Sequence, residues 1–175
     1  MKNALTLAAC CLCLSSCTTT PMAPAMAAGP SATAVMRPAS GSQAHGSVTF
    51  TQMGDRVKVE GEIAGLNPGR HGIHVHEKGD CSAADAATAG GHFNPGGKKH
   101  GGTEGAERHA GDLGNITANE YGKAEVSVVV GGISVGTGPN GVVGKGLIVH
   151  ADPDDTKTDP GGNSGDRIAC GAIEA

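Results

Sequence analysis

Apolar and polar positions alternate in short runs along most of the chain, and Gly, Asn, Asp and Pro interrupt them at intervals. A period of two places successive side chains on opposite faces of an extended strand. The pattern predicts strands near 32–37, 44–52, 55–64, 71–77, 112–119, 121–129, 142–150 and 167–174. Met53-Gly54-Asp55 and Asn119-Glu120-Tyr121-Gly122 read as hairpin turns. No long window carries an apolar stripe at the helical period. Eight short strands with turn chemistry between them predict an all-β fold, a Greek-key barrel or sandwich. Two stretches without strand pattern, 78–111 and 151–166, exceed ordinary connection lengths. They are expected to be functional loops held by something other than a core.

Composition narrows the picture. The 175 residues suit about one domain, and 30 Gly with 2% aromatic residues and no Trp leave small β-branched side chains to fill the core. A net charge of -4 lacks the basic excess of a nucleic-acid binder, and no Walker or dinucleotide glycine pattern occurs. Lys2 and the apolar run Ala4–Leu14 have the form of an export signal too short to span a bilayer. The run closes on Leu14-Ser15-Ser16-Cys17, which resembles the bacterial lipobox and makes Cys17 the candidate lipid anchor; ordinary cleavage after Ala25-Met26-Ala27 is the rival. Residues 1–16 are then a lipoprotein signal peptide, 17–31 a flexible tether and 32–175 the folded domain. The expected location is extracytoplasmic, on the periplasmic side. Thr18 after the anchor, in place of Asp, leans towards the outer membrane.

Of the 6 Cys, Cys10, Cys11 and Cys13 lie in the leader and Cys17 is the anchor, leaving Cys81 and Cys170. In an oxidising compartment two cysteines are expected to pair, closing a loop that stabilises by about 4.6 kcal/mol in the chain-entropy model. Two thiolate metal ligands are the alternative, weakened by the lack of CxxC spacing.

Seven of the 8 His fall in or beside the two loops and strand ends. In His71-Gly72-Ile73-His74-Val75-His76, alternation puts His74 and His76 on one face of a strand and Ile73 and Val75 on the other. Alone, that pair is equally a strand with two polar outward residues. His92, His100, His109 and Asp112 lie within 21 residues of Gly-rich chain, and three imidazoles with one carboxylate suit tetrahedral zinc without an open position. His150, ending Leu147-Ile148-Val149-His150, can complete a nitrogen-only site with His74 and His76, which favours copper.

Together HGIHVHEKGD at 71–80, GGHFNPGGKKHGG at 90–102, ERHAGDLGNITA at 107–118, GLIVHADPDD at 146–155 and GDRIACGAI at 165–173 resemble the Cu,Zn superoxide dismutases, in family order and over essentially all of 32–175. The resemblance implies an eight-stranded Greek-key barrel with one copper and one zinc ion per subunit. It implies copper ligation by His74, His76, His92 and His150, and zinc ligation by His92, His100, His109 and Asp112, with His92 bridging. Asp154 matches a carboxylate linking the outer nitrogens of His74 and His100, Arg167 matches an anion-guiding arginine, and His71 matches a structural histidine. The implied reaction converts superoxide to dioxygen and hydrogen peroxide by alternate reduction and oxidation of copper, protecting the extracytoplasmic space. Expected partners are superoxide, the membrane through the N-terminal lipid and, open from sequence, a second copy in a homodimer. His45 matches nothing and reads as a surface imidazole.

The chain also departs from that pattern. The 151–166 segment carries Asp152, Asp154, Asp155, Asp159 and Asp166 against only Lys157, which sits badly with electrostatic steering of an anion. Ala151 stands where animal members of the resembled family commonly have Glu, and Gly161 where many have Thr. Rival readings are a copper or zinc buffer or delivery module, against which Arg167 argues, and a surface adhesion lipoprotein, which gains nothing from converging ligands.

Overall fold

The structure, a computed structural model, describes residues 29–175; the leader, Cys17 and nearly all of the expected tether lie outside the described residues. Among the described residues eight strands form, β1 Ser31–Pro38, β2 His45–Met53, β3 Arg56–Ala64, β4 Gly69–His76, β5 Asp112–Ala118, β6 Ala124–Gly131, β7 Gly146–His150 and β8 Arg167–Glu174. Among the described residues the one helical element is a single 3-10 turn, Ala87–Ala89. Every pairing is antiparallel, in the order β5-β4-β7-β8-β1-β2-β3-β6. The edge strands β5 and β6 face each other across the remaining gap, so the sheet is a nearly closed barrel. The chain crosses between β3 and β4 and again between β6 and β7, which gives the Greek key.

Strand boundaries follow the alternation closely, with two differences of local origin. The Asn119 side-chain oxygen accepts the Tyr121 and Lys123 N–H groups, which curls 119–123 and delays β6 to Ala124. Val142 and Val143 donate their N–H groups to Ser134 and Gly136 within the preceding connection, so β7 begins only at Gly146. The β2–β3 hairpin turns on Gly54 and Asp55, and Gly54 takes the positive φ of 62° that such a tight turn needs. At the other end of β1, Gly29 and Pro30 already exchange backbone hydrogen bonds with Gln52.

Inward positions fill the barrel with β-branched and small residues around one large ring. Val48, Phe50, Val59, Ile63, Leu147 and Ile173 are all fully buried. A smaller cluster of Ala39, Ala86, Ala89, Ile148 and Cys170 lies outside the barrel, beneath the Cys81–Cys170 disulfide. That bond, with Cα atoms 5.8 Å apart, confirms the expected pairing and ties the start of the 77–111 connection to β8. β4 is the strand that matters for function, because it is buried on both faces. Ile73 and Val75 point into the core, while His74 and His76 point outward and are nevertheless 0% and 1% exposed. The two long loops fold over that outer face.

Candidate metal centre

β4 presents His74 and His76, and an isolated antiparallel bridge brings His92 alongside His76. The bridge is secured by Glu77 N–H on Gly91 O and Phe93 N–H on Val75 O. β7 pairs with β4 and ends at His150, whose Nε2 lies 3.4 Å from His76 Nε2. One nitrogen each from His74, His76, His92 and His150 thus falls within 4.8 Å of the others. A second group of His92, His100, His109 and Asp112 meets the same limit, so His92 belongs to both. Its Nδ1 faces Asp112 Oδ1 at 2.9 Å, while a Cβ on Gly161 would sit 3.8 Å from its Nε2, on the other side of the ring.

Asp112 opens β5 and is fully buried. Its Oδ2 accepts the backbone N–H groups of Gly101 at 3.1 Å and His109 at 2.8 Å, and its Oδ1 faces the three imidazoles. Burial alone would raise its pKa, but the hydrogen bond with His92 and the Gly101 N–H outweigh that and hold it near 2. The carboxylate is ionised and ready to ligate.

Asp154 joins the two groups from behind. It is buried, and its oxygens lie 2.8 Å from His74 Nε2 and 2.8 Å from His100 Nε2. A carboxylate here only accepts, so both rings donate at Nε2 and keep their lone pairs on Nδ1. Those two Nδ1 atoms are the buried polar side-chain atoms that find no hydrogen-bond partner among the described residues. Buried polar atoms are normally satisfied, so two orphaned acceptors aimed into converging ligand sets fit bound metal cations. His76 and His150 are set the opposite way, each turning Nδ1 to a backbone carbonyl, Gly90 at 3.0 Å and Gly165 at 3.2 Å, and Nε2 to the cluster.

Burial keeps three of these rings neutral. Burial lowers the His76 pKa to about 2, His150 to about 3 and His74 to about 4, the last partly offset by its bond to Asp154. His100 moves upward, because Asp154 and Asp112 together outweigh its burial. Asp154 itself is lowered, burial being overcome by its bonds to His74 and His100.

Above the first group opens a pocket of about 340 Å³ lined by His76, His92, His150, Asp159, Gly161 and Arg167, among others. The Arg167 guanidinium donates to the Ala86 and Gly90 carbonyls at 2.7 Å each, in the segment that the disulfide anchors. Of the cations that could supply a field, Arg167 lines this pocket; Lys98, Lys99 and Lys157 do not. His71 lies apart, bridging the carbonyls of His150 at 2.8 Å and Asn67 at 2.9 Å, and His45 is exposed.

Several supporting groups escape a reading of the sequence. Asn115 exchanges two hydrogen bonds with the Asp154 backbone, at 2.9 and 2.8 Å. Gly162, at φ 63°, leaves room beside Asp154 and His100 that any Cβ would fill. Arg108 clamps the 101–111 segment by donating to the carbonyls of His109, Ala110, Asp112 and Gly131. Each acts through backbone geometry, which leaves no trace in spacing.

A fold of eight antiparallel strands with two histidine-rich ligand sets sharing one ring defines a β-barrel with two candidate metal sites. The sequence model of the family described as copper/zinc superoxide dismutase (SODC) matches residues 44–173, and the chain belongs to that family. Among solved structures it is similar to the crystal structure of the clock protein EA4, with 39% sequence identity, a TM-score of 0.76 and coverage of 87% of this chain and 99% of that one. The family binds copper and zinc, and the two ligand sets are groups that can hold such ions.

Proposed function

We propose that the protein is an active superoxide dismutase, with one copper ion held by His74, His76, His92 and His150 and one zinc ion by His92, His100, His109 and Asp112. The observation that carries this reading is the pair of orphaned Nδ1 atoms, on His74 and His100, fixed by one carboxylate so that each faces a different ligand set. Four nitrogens suit copper, and three nitrogens with one carboxylate oxygen suit zinc.

The net reaction takes two superoxide anions and two protons to one dioxygen and one hydrogen peroxide. Bound copper supplies the one-electron acceptor and donor that this exchange needs. The remaining work belongs to the chain. Arg167, held by two carbonyls, lines the pocket and orients a small anion there. The pocket opens above the first ligand set and admits a small anion, while the second ligand set is buried. His92, with Nδ1 turned to Asp112, has Nε2 on the pocket side, where it can hold a proton and pass it to the departing peroxide. Asp154 keeps the His74 and His100 rings in the tautomers that leave their Nδ1 lone pairs inward.

The address belongs to the same proposal. The basic start, short apolar run and Cys17 motif support export and lipid anchoring, with an outer-membrane lean, and a disulfide in the folded domain supports an oxidising compartment. There the enzyme would remove superoxide outside the cytoplasm.

The test is the decay of superoxide in the presence of protein loaded with both metals, against protein loaded with zinc alone. Fast catalysed decay that requires copper supports the reading. Full occupancy of both sites without decay overturns it and leaves a metal-binding module.

A further inference from the structure

The six histidines of the centre differ in what holds them from behind. His74 and His100 rest on Asp154, His76 on Gly90 O and His150 on Gly165 O, while His92 faces both ligand sets. His109 is the remaining one. Its Nδ1 faces Asp112, and its Nε2 points to Asp159 Oδ1 at 3.8 Å. The same Asp159 oxygen accepts the backbone N–H of His100 at 2.5 Å. Asp159 therefore touches two of the four residues of the second ligand set, from the opposite long loop. Unlike Asp154, whose side chain is 0% exposed, Asp159 is 48% exposed, and it lines the pocket together with Arg167.

We propose that Asp159 is a positioning and rate-setting residue: its carboxylate braces the His100–His109 segment, and the same charge on the wall of the anion pocket weakens capture of an incoming anion. Among the described residues, Arg167 and Asp159 are the guanidinium and the carboxylate that line the pocket, so a single acid offsets a single base. Arg167 and Asp159 line the same pocket, of about 340 Å³. An anion beside Arg167 thus lies within about one Debye length of Asp159 at physiological ionic strength, where the repulsion is only partly screened. The inference rests on the two-metal reading above and deepens it, since it names what limits anion affinity at that site.

Asp159→Asn keeps an oxygen for the His100 N–H and removes the charge, whereas Asp159→Ala removes both. Each variant and the wild type are loaded with copper and zinc. Two quantities are read, azide affinity from the visible spectrum at low and high salt, and the rate of zinc release to a chelator. Azide is expected to bind Asp159→Asn about two- to fivefold more tightly than wild type at low salt, with the gap closing at high salt. Zinc is expected to leave Asp159→Ala about tenfold faster than wild type and to leave Asp159→Asn at close to the wild-type rate. Unchanged azide affinity in Asp159→Asn at low salt, or unchanged zinc release in Asp159→Ala, overturns the inference. Neither readout needs turnover, so a protein that binds both metals but does not dismutate superoxide still tests it. A wild-type protein that takes up no copper overturns the metal-centre reading, and the inference with it.

Discussion

Replacing Asp154 by Asn changes one atom and asks whether this carboxylate sets the tautomers of two ligands. Its Oδ2 faces His74 Nε2 at 2.8 Å, and its Oδ1 faces both His100 Nε2 at 2.8 Å and the Thr156 N–H at 2.6 Å. Two donors on Oδ1 fix the amide oxygen of Asn to that side, which turns the new NH2 towards His74. Two N–H groups cannot face each other, so the His74 proton moves to Nδ1, the position that would ligate copper. A buried charge-assisted hydrogen bond contributes about 1.5–3 kcal/mol. Loss of such an outer partner lowers metal affinity by about 10–100-fold, which corresponds to about 1.4–2.7 kcal/mol. Competition against a chromophoric chelator measures both metals in the folded variant. Copper affinity is expected to fall by about 10–100-fold, with zinc affinity changing much less, because His100 keeps its acceptor. Wild-type copper affinity, or loss of zinc in place of copper, would refute the reasoning.

Other perturbations separate the remaining roles. His92→Ala removes the ring common to both ligand sets and is expected to reduce the content of both metals, while Arg167→Ala leaves metal content intact and slows superoxide decay; equal metal loss in the two would contradict that division. Metal-free protein is expected to lose stability as pH falls below 6.5. His74, His76 and His150 take a proton in the unfolded chain near their ordinary pKa of 6.5, but in the fold only near 4, 2 and 3, so the unfolded state binds more protons in between. From pH 7 to 5 the three together remove on the order of 6 kcal/mol. His100, shifted upward, acts in the other direction: its contribution is complete below its unfolded pKa and is lost as pH rises through the folded one. Denaturant melts at several pH values check the sign, and a flat profile would exclude it. Converting Cys81 and Cys170 to Ser is expected to lower stability by about 2–5 kcal/mol. It also releases the Ala86–Gly90 segment, so superoxide decay should slow in protein that retains both metals.

Much of this architecture is legible in the residues, and the reason is period. Strand alternation located all eight strands and put His74 and His76 on one face, because a pleated backbone enforces that geometry locally. Alternation could not show that their outer face is buried, since the cover comes from loops distant in sequence. Spacing likewise grouped His92, His100, His109 and Asp112, but the sharing of His92 depends on a backbone bridge to His76 that only the folded chain displays. Asp159 illustrates the limit most clearly. Among the acids of the 151–166 segment nothing marks it out, and its importance comes from His100 N–H and His109 Nε2 lying beside it in space. The acidity of that loop does bear on steering, through this one residue at the pocket wall. Asp155 is instead consumed in holding Lys157, Thr158 and Asn163 in the loop.

The central claim is that one imidazole, His92, joins a nitrogen-only site to a site completed by a carboxylate. Anomalous diffraction from crystals of the copper- and zinc-loaded protein, collected at both metal absorption edges, tests it directly. A copper peak is expected among His74, His76, His92 and His150 and a zinc peak among His92, His100, His109 and Asp112, with the His92 ring between them. A single peak, or a metal held by Asp154 with His100 and Asp155, would contradict it.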